Sequence, residues 1–138
     1  DDHRMIIVGG RDAETTRTGL SSGAIFDSRT QQWTDLPYDM RLDLHRCCVV
    51  ANSKYVFVIG GQGPIGIMSR VYRLSLETFK WTAMASMSIE RDLFAAVLKG
   101  NYIYVFGGYN YGPLDSVERY SIADNSWEDL YDMPSARY

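Results

Sequence analysis

Apolar residues along this chain come in bursts of four or five, separated by polar stretches rich in turn formers. Residues 5–8 are an apolar run, and 55–59 and 102–106 are runs of aromatic and β-branched side chains, which suit a pleated, half-buried surface. Residues 47–51 and 94–98 are small and apolar, while 71–75 and 117–122 alternate large with polar positions. A turn follows, at 27–32 or 123–126, and then a Trp with a few more residues. No stretch keeps a 3.6-residue apolar period long enough for a core helix. The pattern predicts an all-β chain of short antiparallel strands, four to a unit.

The bursts repeat. Double glycines end apolar runs at Gly9-Gly10, Gly60-Gly61 and Gly107-Gly108, spaced 51 and 47 residues apart. Trp33, Trp81 and Trp127 follow at spacings of 48 and 46. Seven residues before each Trp stands a large side chain: Phe26, Leu74, Tyr120. Six or seven residues after each comes a Met: Met40, Met87, Met133. Four residues past the last two Met come Arg91 and Arg137; the first unit has Leu44 there, with Arg46 two residues on. Glycine pairs at a strand end permit positive φ and close backbone approach. The Trp and its large partner bracket a hairpin and place two bulky side chains between neighbouring sheets. A lone unit cannot bury both faces, so units must stack.

These landmarks resemble kelch repeats. The third unit is the most similar, through Phe106-Gly107-Gly108-Tyr109-Asn110, then 115–120 (Asp-Ser-Val-Glu-Arg-Tyr), Asn125-Ser126-Trp127 and Met133 to Arg137. It looks like the repeats of kelch-like proteins that pair this domain with a BTB domain. The resemblance covers essentially the whole chain and implies a kelch-type β-propeller of about three four-stranded blades. The expected extents are 1–43, 44–90 and 91–135, with 136–138 starting a further blade and the first blade lacking its innermost strand. Propellers typically need roughly 4–8 blades. Three units therefore read as a partial ring excerpted from a longer chain, or as half of a homodimer that completes six blades. Gly9, Gly10, Trp33, Gly60, Gly61, Trp81, Arg91, Gly107, Gly108, Tyr120, Trp127 and Arg137 are assigned to the repeat framework. Arg91 and Arg137 recur at the repeat period, so they read as partners of a buried carboxylate or carbonyl. Leu74, where an aromatic is usual, and Leu44, where Arg is usual, depart from the family pattern.

Composition narrows the function. The net charge is −3 and the pI near 5.3, which argues against a general nucleic-acid binder. The apolar runs fall far short of the roughly 18 residues of a membrane span, and neither a basic leader nor an initiating Met is present. Cys47 and Cys48 are adjacent and point to opposite faces of a strand, so they do not pair readily. Two free thiols suggest a reducing compartment, and a cytoplasmic location is expected. Of 14 basic residues 11 are Arg, and there are 10 Tyr; both types are favoured at specific protein contacts.

Call the strands of a blade a to d. Antiparallel alternation puts the b–c loop and the d–a loop on one face. These are the long loops, at 11–22, 62–69 and 109–115, and at 36–46, 84–91 and 131–137. Long loops on a rigid scaffold carry function. The resemblance implies contacts at the residue after each double glycine, here Arg11, Gln62 and Tyr109, and at Arg46. Asn110 and Tyr111 complete the candidate partner-binding set. Arg11 and Arg46 read as free cations whose reversal would leave the fold intact. The expected partner is a protein or extended peptide, acidic or hydrogen-bonding, and the resemblance implies substrate capture for a ubiquitin ligase.

Other chemistries find less support. Residues 61–66 fit GxGxxG after a strand, but Pro64 interrupts and 67–74 read as strand rather than the helix a phosphate site needs. His45, Cys47 and Cys48 lie close together, yet the two Cys align with Phe94 and Ala95 and read as small core positions. No catalytic residue, cofactor or metal site is assigned. The alternative is a propeller enzyme or sugar-binding domain with a small ligand in the central channel.

Overall fold

The computed structural model describes residues 3–10, 21–37, 40 and 43–138. Its described residues form thirteen strands and no helix. The first sheet holds β1 (Arg4–Val8), β2 (Gly23–Asp27) and β3 (Gln32–Asp35). The second holds β4 (Cys48–Ala51), β5 (Tyr55–Ile59), β8 (Val71–Ser75) and β9 (Trp81–Met84). The third holds β10 (Ala95–Lys99), β11 (Tyr102–Phe106), β12 (Val117–Ser121) and β13 (Ser126–Leu130). All three are antiparallel meanders, and β4 runs beside β10. Among the described residues β1 pairs with β2 alone, so the first blade shows strands b, c and d without a.

Residues 67–74 are not one strand. Gln62–Gly63 (β6) pairs with Gly66–Ile67 (β7) in a small hairpin, and β8 begins at Val71. Gly66 at φ 125 supplies a backbone that L residues rarely adopt, and Pro64 sits in the turn. The GxGxxG stretch is therefore a hairpin with no helix behind it.

Two apolar cores lie between the sheets. Strand period sorts β5 cleanly: Val56 and Val58 face the first blade, Phe57 and Ile59 the third. This is why four of its five residues are buried. The hairpin landmarks sit opposite each other in register, Phe26 with Trp33, Leu74 with Trp81 and Tyr120 with Trp127. Phe26 and Trp33 rings are 4.9 Å apart, Tyr120 and Trp127 rings 5.1 Å. The Trp127 Nε1–H donates to Ala85 O of the preceding blade (2.8 Å). Several tyrosines are framework: Tyr72 and Tyr120 are buried, and Arg73 and Arg119 lie over the Tyr55 and Tyr102 rings at 4.3 and 4.4 Å.

The double glycines clasp each blade. Gly10, Gly61 and Gly108 N–H groups donate to Leu44, Arg91 and Arg137 carbonyls at 2.9, 2.9 and 2.7 Å. A Cβ on Gly61 would lie 2.7 Å from His45 O, and one on Gly108 2.6 Å from Asp92 O. A Cβ on Gly10 would meet nothing within 4 Å.

The recurring Arg position has two solutions. Arg91 is fully buried; it pairs with Glu118 at 2.8 Å and donates to Gly107 O, Ser116 O and Ser116 Oγ. Glu118 also accepts from the Ser88 N–H at 2.8 Å. One blade earlier the same two places hold Leu44 and Tyr72, both buried in the first core. The ionic pair is thus replaced whole by an apolar one. Removing one partner of a buried pair costs about 3–5 kcal/mol, while exchanging both for packed apolar groups is often neutral. In urea titrations Arg91→Leu should lose stability of that order, and R91L/E118Y should recover most of it.

The thiols are core-facing, as their alignment implies. Cys47 packs on the first core and Cys48 on the second. The Cys48 thiol donates to Phe94 O at 2.8 Å. Burial, with Cys47 beside it, pushes its pKa up to about 11. The folded state keeps this proton above the pH at which an unfolded thiol, near 9.0, gives it up. Stability therefore declines as pH rises through that interval. At pH 8 native Cys48 should alkylate roughly 100-fold more slowly than an ordinary thiol, and urea should abolish the difference.

Candidate functional site

The b–c and d–a loops meet on one face through backbone bridges. His45 and Gln62 exchange N–H···O bonds (3.1 and 2.8 Å), and so do Asp92 and Tyr109 (3.1 and 2.8 Å). His45 and Asp92 occupy the same place in successive blades, just before strand a. The next residues, Arg46 and Leu93, also correspond. Both have positive φ, 56 and 51, and the Leu93 N–H donates to Arg46 O at 3.3 Å. Left-handed backbone is costly for such residues and persists where the surroundings impose it. It turns both side chains out of the strand run, leaving Arg46 and Leu93 exposed.

The side chains gather around Arg46. Its guanidinium contacts Gln62 Oε1 and Asp92 Oδ2, each at 3.5 Å. The Arg46 side chain is 48% exposed, that of Asp92 only 2%. Asp92 Oδ1 is buried and has no hydrogen bond among the described residues, and the same holds for Asn110 Oδ1. The Tyr109 ring meets the Tyr138 ring edge-on at 5.6 Å. The Asn110 N–H donates to Gly112 O at 3.0 Å, which tightens the loop and leaves Tyr111 projecting, 88% exposed.

Of the residues expected at the surface, Arg46, Gln62 and Tyr109 come together around Asp92; Asn110 and Tyr111 continue from Tyr109. Arg11 lies outside the described residues. Arg46 is not the free cation that its exposure suggested, since it answers the buried Asp92 carboxylate. Asp92 itself was not anticipated, although aligning the double glycines places it opposite His45. Of the framework arginines, Arg91 is buried and Arg137 exposed; Arg137 donates its N–H to Leu114 O. No group of three metal-binding side chains converges among the described residues.

The family model for the KLHDC2/KLHL20/DRC7 Kelch-repeats domain matches residues 1–137. The chain belongs to the kelch-repeat family. It is 27% identical to Kelch-like protein 40 of Xenopus laevis over 99% of its length and 22% of that protein's. It is 30% identical to Kelch-like protein 40 of Mus musculus, over 96% and 22%. It is 32% identical to Kelch-like protein 15 of Danio rerio, over 86% and 20%. The chain thus spans about a fifth of these curated relatives' length. The solved structure of YjhT matches with a TM-score of 0.82 at 14% identity, over 97% of this chain and 50% of its own. The three sheets are blades of a kelch-type β-propeller.

The kelch framework makes Arg46 a structural residue as well as a surface one. Arg46→Ala strands a buried carboxylate, and a loss of about 1–3 kcal/mol is expected. Arg46→Glu should lose more, and R46A/D92N should regain most of the deficit, as read by thermal unfolding.

Proposed function

We propose that this kelch-repeat chain recognises a protein partner through the face built by its b–c and d–a loops. The observation that carries the reading is the convergence of Arg46, Gln62, Asp92, Leu93 and Tyr109 from two blades at one loop-bearing end. The opposite turns close on themselves. Asp27 accepts N–H bonds from the residues after it, and Asn52, Ser75 and Ser121 do the same. Groups already satisfied within their own turn offer a partner little. The likeness to BTB-bearing kelch-like proteins supports a narrower role, substrate capture for a ubiquitin ligase.

Site-specific photocrosslinking in cells tests the face. A benzophenone amino acid at Gln62 should yield discrete partner adducts, and the same probe at Asp124 in an opposite turn should not. Equal labelling from both positions would sink the assignment.

A further inference from the structure

One strand edge inside this fold is bare. In the second and third blades strand b pairs on both sides, β5 with β4 and β8, β11 with β10 and β12. Among the described residues β1 pairs with β2 alone. Its run Met5–Val8 carries neither a charge nor a Pro, the devices that blunt an edge against further pairing.

Beside that edge lies a groove of about 200 Å³, lined by Ile6 of β1, Val49 and Ala51 of β4, and Leu76. Exposure along the innermost strands shows what fills the equivalent space one blade on. Cys48 and Val50 of β4 are half-buried and pack on the second core. Ala96 and Leu98 of β10 meet the same core from the third blade and are half-buried too. Val49 and Ala51 hold the places of Ala96 and Leu98, counted back from the double glycines, yet both are exposed. What covers Ala96 and Leu98 is the neighbouring strand β4, which runs beside β10. The same contact, continued by one blade, requires a strand in the groove.

Register describes that strand. Cys48 lies opposite Ile59 and Val50 opposite Phe57; Val8 and Ile6 correspond to Ile59 and Phe57. A segment antiparallel to β1 therefore directs the side chains opposite Val8 and Ile6 onto Val49 and Ala51. Small apolar residues suit those two alternate positions, as Cys48 and Val50 do between the second and third blades. Main-chain bonds to the bare edge supply affinity, and the alternate side chains supply selectivity.

We propose that β1 and this groove accept an added β-strand in trans: an extended segment of a separate polypeptide, with small apolar residues at alternate positions. The site lies between two blades and is independent of the loop face.

The probe is a synthetic peptide copying residues 45–52 with C47A and C48A, titrated into the 138-residue chain. It should bind saturably and shift the backbone amide NMR signals of β1 and β4. Val49→Lys should weaken binding about tenfold or more. Val97→Lys should not, because Val97 is exposed on β10 outside the groove. Two further peptides carry N-methyl groups, one on the amides of positions 48 and 50, the other on those of 49 and 51. Only one of these sets faces β1 in an antiparallel pair, so one peptide should lose binding and the other keep it. No saturable binding, loss with both methylated peptides or with neither, full-strength binding to Val49→Lys, or an equal loss in Val97→Lys would overturn the proposal.

Discussion

The structure depends on one close approach, that of each second glycine to the backbone at the start of strand a. The glycine N–H reaches a carbonyl four residues beyond the blade's Met, at 2.7–2.9 Å. In the two complete blades its α-carbon lies so near the His45 or Asp92 carbonyl that a methyl group would clash. This clasp draws the b–c loop over the d–a loop. It fixes the blade's upper edge, which the hairpin pairings alone leave open. The candidate site exists because the clasp brings residues from both loops into one plane.

Once the clasp is a backbone matter, side chains near it are free to differ. Leu44, Arg91 and Arg137 all supply the same carbonyl, so Leu44 costs the first unit none of its closure. What the Arg side chain adds lies across the blade junction, in the Gly107 and Ser116 carbonyls that flank β11 and β12 and the Glu118 carboxylate on β12. Where Tyr72 replaces that carboxylate, a guanidinium would be buried unpaired, and Leu44 spares the junction that penalty. A departure that looks like weakened packing in one repeat is a matched exchange when two blades are compared.

The fold was legible because its determinants are local and periodic. Gly-Gly, the large residue before Trp, and Met each recur at a spacing that the strands reproduce in register. The hairpin at Gln62–Ile67 escaped because its two strands of two residues each are too short to set an apolar alternation; only Gly66 marked it. The site was half legible. Topology placed Arg46, Gln62 and Tyr109 on the proper face, but Arg46 looked free. Its partner Asp92 is recognisable only from three-dimensional burial, since a carboxylate beside the framework Arg91 suggests pairing with that neighbour instead. Tyr111 was named from its place in a long loop, whereas Ile65 was not, because an apolar residue counted toward a core gives no sign that it stands exposed in a turn.

Arg46 and Leu93 show how such a scaffold varies its chemistry. The two share a left-handed backbone and are joined by a hydrogen bond from Leu93 to Arg46. Backbone bonds hold that geometry, so the side chains there can differ. One blade places a cation at that point, the next an aliphatic group, and each emerges at the same end. A substitution there alters what the face presents while the clasp and the two cores stay as they are. The exception is Arg46 itself, because Asp92 has been buried beneath it. That pairing gives up part of the freedom the scaffold allows, and it fixes the guanidinium where an unpaired Arg would sample many rotamers. Holding the group in place before contact lowers the ordering cost of binding, which turns a stability constraint into a feature of recognition.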